Sequence, residues 1–273
     1  MNDDAKIGKF TPPQKRNIVK YEAFDGLRAY AAIGIVMMHV QANLNADMSE
    51  NVITESVIPY LTNFTLLFMM VSAFSMCCGY YERVKNGAIT PKAFYHRRYA
   101  RIWPFFALMV VLSLLMDRDI RSLQEAFVDL TLCFNLLPNA DIKTVGVGWF
   151  IGTVFTFYML FPFFTYLIDN KRKAWLLLAA SLIFVYIGVN HKFEMGPISR
   201  QNIIYSAPFF IIGGIIYLYR DRLSEIVGSH GWAAALVTIA VSVAAFMLPW
   251  NRLLPIMRDF NILYGVDYIR PWL

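Results

Sequence analysis

The sequence predicts an all-α protein, a polytopic bundle of transmembrane helices with about eight spans. Three observations predict it. First, of 273 residues 58% are hydrophobic and only 16% charged, where an ordinary soluble domain carries about 25% charged residues. Second, mean hydropathy is +0.47, and the apolar residues gather in runs close to the ~20 residues that cross a bilayer. Third, Phe (22) and Tyr (15) are abundant, as expected where rings sit at the headgroup level. The net charge of +6 carries no nucleic-acid signal, because the basic residues fall at the ends of apolar runs, where anionic lipid and topology account for them. Membrane lipid is the expected partner, and nucleic acid is not.

Residues 1–24 read as a basic N-terminal arm with Lys6, Lys9, Lys15, Arg16 and Lys20. No small-residue cleavage site follows the first apolar run, so that run reads as a retained helix. Residues 25–273 read as the membrane domain. Its candidate spans are Gly26–Ala42, Val57–Gly79, Ile102–Met116, Ala126–Leu137, Val145–Ile168, Ala174–Val189, Ile203–Tyr219 and Trp232–Trp250. The fourth is short and contains Asp129, which suits a re-entrant or tilted piece. The connection Asn43–Ser56 has no Lys or Arg, whereas the next holds Arg83, Lys85, Lys92, Arg97, Arg98 and Arg101. That contrast places the N-terminus and the second connection in the cytoplasm. Beyond Met116 the basic residues balance equally whether or not the fourth segment crosses, so the topology stays open. Asn261–Leu273 begins another apolar pattern that Arg270 and Pro271 interrupt. It is too short for a span of ~20 residues, and the bundle is expected to be truncated at this end.

Arg28 and His39 lie on the first apolar helix. Eleven residues are about three turns, so the two share a face roughly 16 Å apart along the axis. Ionisable groups inside a span are costly and mark a functional site by default. A lone histidine in a bundle often only bonds a neighbouring helix; Arg28 on the same face and Asp25 just before it weigh against that here. A neutral histidine suits proton abstraction, because its unperturbed pKa is about 6.5. Arg98 and Arg101 stand at i and i+3 where the basic connection enters the third span. Two such guanidinium groups suit phosphate oxygens, although most membrane-end arginines are plain anchors. His96, His191 and His230 read as interface or loop residues. Asn43 and Asn45 read as a solvated helix end, and Gly213-Gly214 as a close helix contact. Cys77, Cys78 and Cys133 read as packed thiols, and no metal site is expected.

These motifs together resemble the acyltransferase 3 family of integral-membrane acyltransferases. The family's first helix carries Asp-Gly-Leu-Arg, ten residues, then His, here Asp25-Gly26-Leu27-Arg28 and His39. Phe68-Met69-Met70-Val71-Ser72-Ala73-Phe74 is similar to an aromatic stretch of its second helix, with Ala73 where glycine is usual. Arg98-Tyr99-Ala100-Arg101-Ile102-Trp103-Pro104 is similar to the start of its third. Many members also have Trp-Ser-Leu-Ser-Val-Glu-Glu-Gln-Phe-Tyr before a proline. Trp149, Phe157, Tyr158 and Pro162 align with it, but Val154 and Phe155 take the two glutamate places.

The resemblance implies a ten-helix architecture, which this chain falls short of, in the plasma (inner) membrane of a bacterium. It implies transfer of an acyl group, often acetyl in the family, from cytoplasmic acyl-CoA to a hydroxyl of an envelope carbohydrate or glycolipid. No cofactor would be held permanently; acyl-CoA is the donor substrate. His39 would act as base or acyl carrier, with Arg28 beside it, and Arg98 and Arg101 would hold the CoA phosphates. Asp25, Ser72, Trp149 and Tyr158 would support the site. An inactive scaffold relative and, less favoured for want of internal repeats, a transporter or flippase are the rival readings. Acceptor, acyl length and oligomeric state are not legible.

Overall fold

The structure is a computed structural model that describes residues 21–44, 51, 53–116, 120–132, 148–190 and 201–247. Residues 1–20 of the basic arm, Asn45, Cys133, His191 and the apolar pattern from Asn261 lie outside the described residues. Among these residues all regular structure is helical. Helix α1 is Glu22–Asn43. After a π-helical turn, α2 (Ile58–Tyr60) and a 3₁₀ turn lead into α3 (Phe64–Lys85). Then follow α4 (Pro91–Met116), α5 (Ile120–Leu130), α6 (Gly148–Leu167), α7 (Lys171–Asn190), α8 (Ile203–Ser229) and α9 (Gly231–Met247). Five segments are long and apolar enough to cross a membrane: Ala23–Asn43, Ile58–Lys85, Pro91–Met116, Gly148–Leu167 and Ile203–Ser229. The chain is therefore a polytopic helical bundle, with a helix at each of the eight places expected and fewer clear spans than eight.

Local chemistry sets the boundaries that apolar runs alone misplace. The chain leaves α3 through Gly87 at φ +64°, a left-handed position that favours glycine after a helix end. Helix α4 starts eleven residues before the expected Ile102, because the Thr90 hydroxyl accepts from the Ala93 amide (3.3 Å) and Pro91 stands in the first turn, a favourable N-terminus. Lys92, Arg97, Arg98 and Arg101 consequently lie on a helix and not in a connecting loop. Asn170 caps α7 in the same way, its Oδ1 accepting from the Lys173 amide at 3.0 Å. Asn202 caps α8 through the Ile204 amide at 2.8 Å.

The centre of the bundle is α3, α6 and α8. Between 44% and 50% of each is buried, against 11% of α1 and of α4. Helices α3 and α8 run parallel and touch at Gly213. A Cβ there would stand 2.2 Å from the Met70 carbonyl oxygen and 2.8 Å from the Ala73 Cβ. The close-contact reading of Gly213-Gly214 therefore holds. Gly213→Ala is expected to destabilise the bundle by about 1–3 kcal/mol, read as a lower melting temperature in detergent. Gly228→Ala is the control: nothing lies within 4 Å of that position, and helix propensity favours alanine by about 1 kcal/mol.

Ring contacts orient the remaining helices. Phe94 stacks on Phe161 at 5.8 Å while Tyr99 meets Phe155 at 4.6 Å, so α4 and α6 are antiparallel. Arg28 reaches Ser75 while Gly34 abuts Phe64, so α1 and α3 are antiparallel too. The start of α6 thus lies at the same end of the bundle as the finish of α4, and α5 between them does not cross. This settles the relative topology that charge counting left open.

The expected fourth span Ala126–Leu137 is corrected accordingly. Helix α5 ends at Leu130, and eleven residues measure only about 16 Å, half of a bilayer core. The Trp103 indole N–H donates to the Leu130 carbonyl at 3.1 Å, which brings the tip of α5 back beside the middle of α4. The segment doubles back along α4, where Ala126 and Leu132 pack with Phe106, Val110 and Phe155.

The end of the bundle holding the start of α1, the finish of α3 and the α6–α7 turn is rich in cations set over tyrosines. Lys85 lies over Tyr81, Lys171 over Tyr219 and Arg220 over Tyr217. Lys85 and Lys173 both bond the Asp169 carboxylate, and these hydrogen bonds hold it below the usual carboxylate range. A lowered folded pKa stabilises above the unfolded value of about 3.9 and loses that contribution as pH falls through the folded value. Wild type and Asp169→Asn are therefore expected to differ slightly in melting temperature at neutral pH and to converge below about pH 4.

Candidate active site

The first turn of α1 is pinned to α3 by aromatic packing. Phe24 stacks on Phe74 at 4.6 Å, and Tyr21 meets the same ring edge-on at 5.3 Å. That anchor aims Arg28 at α3. Its Nη1 donates to Asp25 Oδ1 at 2.9 Å and its Nη2 to Ser75 Oγ at 2.5 Å. Asp25, named from the sequence only as a supporting residue, is thus an ion-pair partner of Arg28. Ser75 was not singled out from the sequence; it lies one turn beyond the expected Ser72, which is half-buried. A serine three residues along the same face was the available signal.

His39 lies three turns further along α1 and is exposed. Its side chain makes no hydrogen bond among the described residues, while its carbonyl accepts from Asn43 Nδ2 at 2.8 Å. The buried side of α1 is the stripe through Ala31 and Gly34. His39 stands to one side of that stripe and remains open to an approaching molecule.

Arg98 and Arg101 part company. Arg98 turns into the bundle: its Nη2 donates to the Tyr80 hydroxyl at 2.7 Å and its Nη1 points at Met76 sulfur at 3.4 Å. Its guanidinium carbon is 4.7 Å from the Tyr80 ring centre and 5.7 Å from that of Tyr158, a cation–π arrangement. Its buried Nε has no hydrogen-bond partner among the described residues. Arg101, one turn on, is exposed and has no partner among the described residues. The structure thus brings Tyr158 to Arg98, and brings Arg28 and Arg98 to neighbouring turns of α3, Ser75 for the first and Met76 and Tyr80 for the second. Ser75 to Tyr80 is about 7.5 Å of helix rise. Tyr80→Phe is expected to keep the ring beneath Arg98 but remove its hydroxyl acceptor, costing about 1.5–3 kcal/mol of local stability. Thermal melting of the variant checks this.

Trp149 lies elsewhere. It is half-buried at the start of α6, 6.2 Å from Phe150, at the opposite end of the helix from Tyr158's neighbours on the basic side. Val154 and Phe155, at the places of the expected glutamates, are 7% and 0% exposed in apolar packing. The carboxyl that does enter this region comes from α5. Asp129 is 3% exposed with its Oδ2 unpartnered. Burial, with Glu125 one turn earlier, pushes its pKa up to about 6. Sequence reading registered Asp129 only as a mark against a fourth span. The His230 ring, at the α8–α9 junction, bonds Ser229 Oγ through Nδ1 at 2.8 Å. No group of three metal-binding side chains occurs among the described residues.

An apolar cleft of about 440 Å³ opens between α6, α7 and α8, walled by Phe157, Phe163, Leu177, Phe184 and Ile204. Its one hydroxyl, Ser181, is tied to the Leu178 carbonyl at 2.8 Å. The cleft offers hydrocarbon contact and no chemistry.

Comparison with known proteins agrees with the geometry. Protein 2 in picA locus of Rhizobium radiobacter is 26% identical over 102 residues, which cover 37% of this chain and 46% of that protein. The match thus spans about half of that relative's length. No solved structure matches the chain. A family model described as an acyltransferase domain matches residues 21–271, from the residue before α1 onward, and on that near-complete coverage this polytopic membrane protein belongs to the acyltransferase 3 family.

Proposed function

We propose that the protein transfers an acyl group, acetyl in the simplest case, from acyl-CoA to a hydroxyl of a cell-envelope carbohydrate or glycolipid. The observation that supports the reading is that Arg28 from α1 and Arg98 from α4 both bond α3 within six residues, at Ser75 and Tyr80. Guanidinium groups set toward the same end of the bundle suit a polyphosphate. The CoA phosphates rest on Arg98 and the exposed Arg101, and the pantetheine arm runs along α1 past Arg28 toward His39. His39 takes the proton of the acceptor hydroxyl as its oxygen attacks the thioester carbonyl. The C–S bond then breaks, and the imidazolium returns the proton to the leaving thiolate. The products are an ester and free CoA thiol. The basic end faces the cytoplasm in this reading, in the inner membrane of a bacterium, where acyl-CoA is available.

The test is thiol release from acetyl-CoA by membranes carrying the protein, paired with mass spectra of the cell's glycans. A glycan mass increase of one acyl group that requires the protein, together with thiol release, is the expected result. A scaffold or a transporter releases no thiol and leaves the glycan mass unchanged, and that outcome defeats the proposal.

A further inference from the structure

The apolar cleft between α6, α7 and α8 takes no part in the acyl-transfer reading. Its volume of about 440 Å³ falls in the range of ligand pockets, roughly 300–1,000 Å³. Its place in the bundle gives it two distinct ends. Helix α6 runs toward the basic end and α7 runs away from it, the turn at Asp169 and Asn170 joining them. Leu167 and Leu177 therefore line the cleft near the basic end, and Phe157 and Phe184 line it at the deep end. Leu167 to Phe157 is ten residues, about 15 Å of helix. That is one leaflet of a hydrocarbon core about 30 Å thick. Phe163 and Phe184 are exposed, so the cleft opens on the flank of the bundle, where lipid chains lie.

The basic end carries the opposite chemistry. Lys171, Arg172 and Lys173 are exposed in the first turn of α7. Lys173 stands four residues before Leu177, on the helix face that lines the cleft. Lys173 and Lys85 share the Asp169 carboxylate, which leaves one positive charge uncompensated among the three groups. Lys171 lies over the Tyr219 ring, and the exposed Trp175 indole donates to the Tyr219 hydroxyl at 3.3 Å. Such rings mark the headgroup level. Topology alone places cations at this end, but it does not require a hydrocarbon cleft one leaflet deep that ends beneath them. Cations above and hydrocarbon below are complementary to a lipid with an anionic head.

We propose that this cleft binds an anionic phospholipid, with one acyl chain lying between α6 and α7 from Leu167 to Phe157 and the phosphate at Arg172 and Lys173. The phosphate adds the negative charge that the Lys85–Asp169–Lys173 group lacks. The chain covers the apolar walls that α6, α7 and α8 leave open. The site is separate from Arg28, His39 and Arg98 and stands whether or not the acyl-transfer reading does.

The experiment uses the full chain, stripped of lipid and reconstituted in phosphatidylcholine vesicles with a trace of photoactivatable lipid. The two probes are phosphatidylglycerol and phosphatidylcholine carrying the same diazirine-bearing acyl chain, and the labelled residues are mapped by mass spectrometry. The phosphatidylglycerol probe is expected to label the cleft walls, residues 157–167 and 177–184, about 5–25-fold more than the phosphatidylcholine probe, the attraction of one to two cations near a membrane surface. The exposed apolar residues Val36 of α1 and Leu108 of α4 are expected to take both probes alike. Arg172→Ala with Lys173→Ala is expected to bring the two probes within about twofold at the cleft; both side chains are exposed, so the fold survives their loss. Ala180→Trp, which sets a ring into the cleft, is expected to remove labelling there by either probe. Labelling of the cleft no different from that of Val36 and Leu108 marks ordinary boundary lipid and overturns the proposal. So does a phosphatidylglycerol excess that survives the double substitution, or cleft labelling that Ala180→Trp leaves unchanged. A cleft that takes neither probe overturns it as well, and a dimer in detergent then names a second copy of the chain as the occupant.

Discussion

His39→Ala is expected to lower acyl transfer about 10²–10⁴-fold, the usual contribution of a positioned general base, and to leave the fold intact. The first half follows from the proposed role of His39 and the second from its surroundings. The imidazole is exposed and makes no side-chain hydrogen bond among the described residues, so its removal leaves neither a cavity nor an orphaned partner. Substitutions at such sites change stability by about 0.5 kcal/mol or less. Ala31 and Gly34, which seat α1 on α3, are untouched. The measurement is transfer rate and melting temperature on the same purified sample. A folded His39→Ala protein with wild-type transfer removes His39 from the mechanism. A radiolabelled acyl group trapped on wild-type protein, and absent from the variant, would identify the two-step route in which the imidazole carries the acyl group.

Arg98→Ala is expected to raise the KM for acetyl-CoA about 10–100-fold and to lower the melting temperature as well. The guanidinium holds α4 to α3 through the Tyr80 hydroxyl and lies over the rings of Tyr80 and Tyr158. In the proposed function it also contacts the donor phosphates, and truncation removes both contributions together. Arg98→Lys is expected to recover part of the stability and little of the donor affinity, because an ammonium lacks the planar fork. Arg101→Ala separates the effects: Arg101 is exposed and unpartnered among the described residues, so donor affinity should fall with no change in melting. Unchanged acetyl-CoA affinity in an Arg98→Ala, Arg101→Ala double variant would show that the phosphates bind elsewhere.

Fold class and family were legible in the chain itself for physical reasons. A bilayer requires long apolar helices, and composition records that requirement directly, as in α6 and α8. The Asp25–Arg28 pair was legible because it is local, three residues apart on one helix. Helix starts were less so: Thr90-Pro91 and Asn170 cap α4 and α7 through single side-chain bonds, which an apolar-run reading passes over.

Tertiary structure alone decided which charged groups meet. Spacing placed Arg98 and Arg101 on neighbouring turns, but packing against Tyr80 and Tyr158 turned the first inward and left the second in the open. Ser75 became a partner of Arg28 only because Phe24 and Tyr21 seat α1 on Phe74. Asp129, in the chain only a charge that weakens a span, became a buried carboxyl because α5 doubles back along α4, where Trp103 bonds the Leu130 carbonyl. Sequence periodicity reports which face of a helix is apolar; it carries no information on which helix will cover that face, and these contacts depend on the partner.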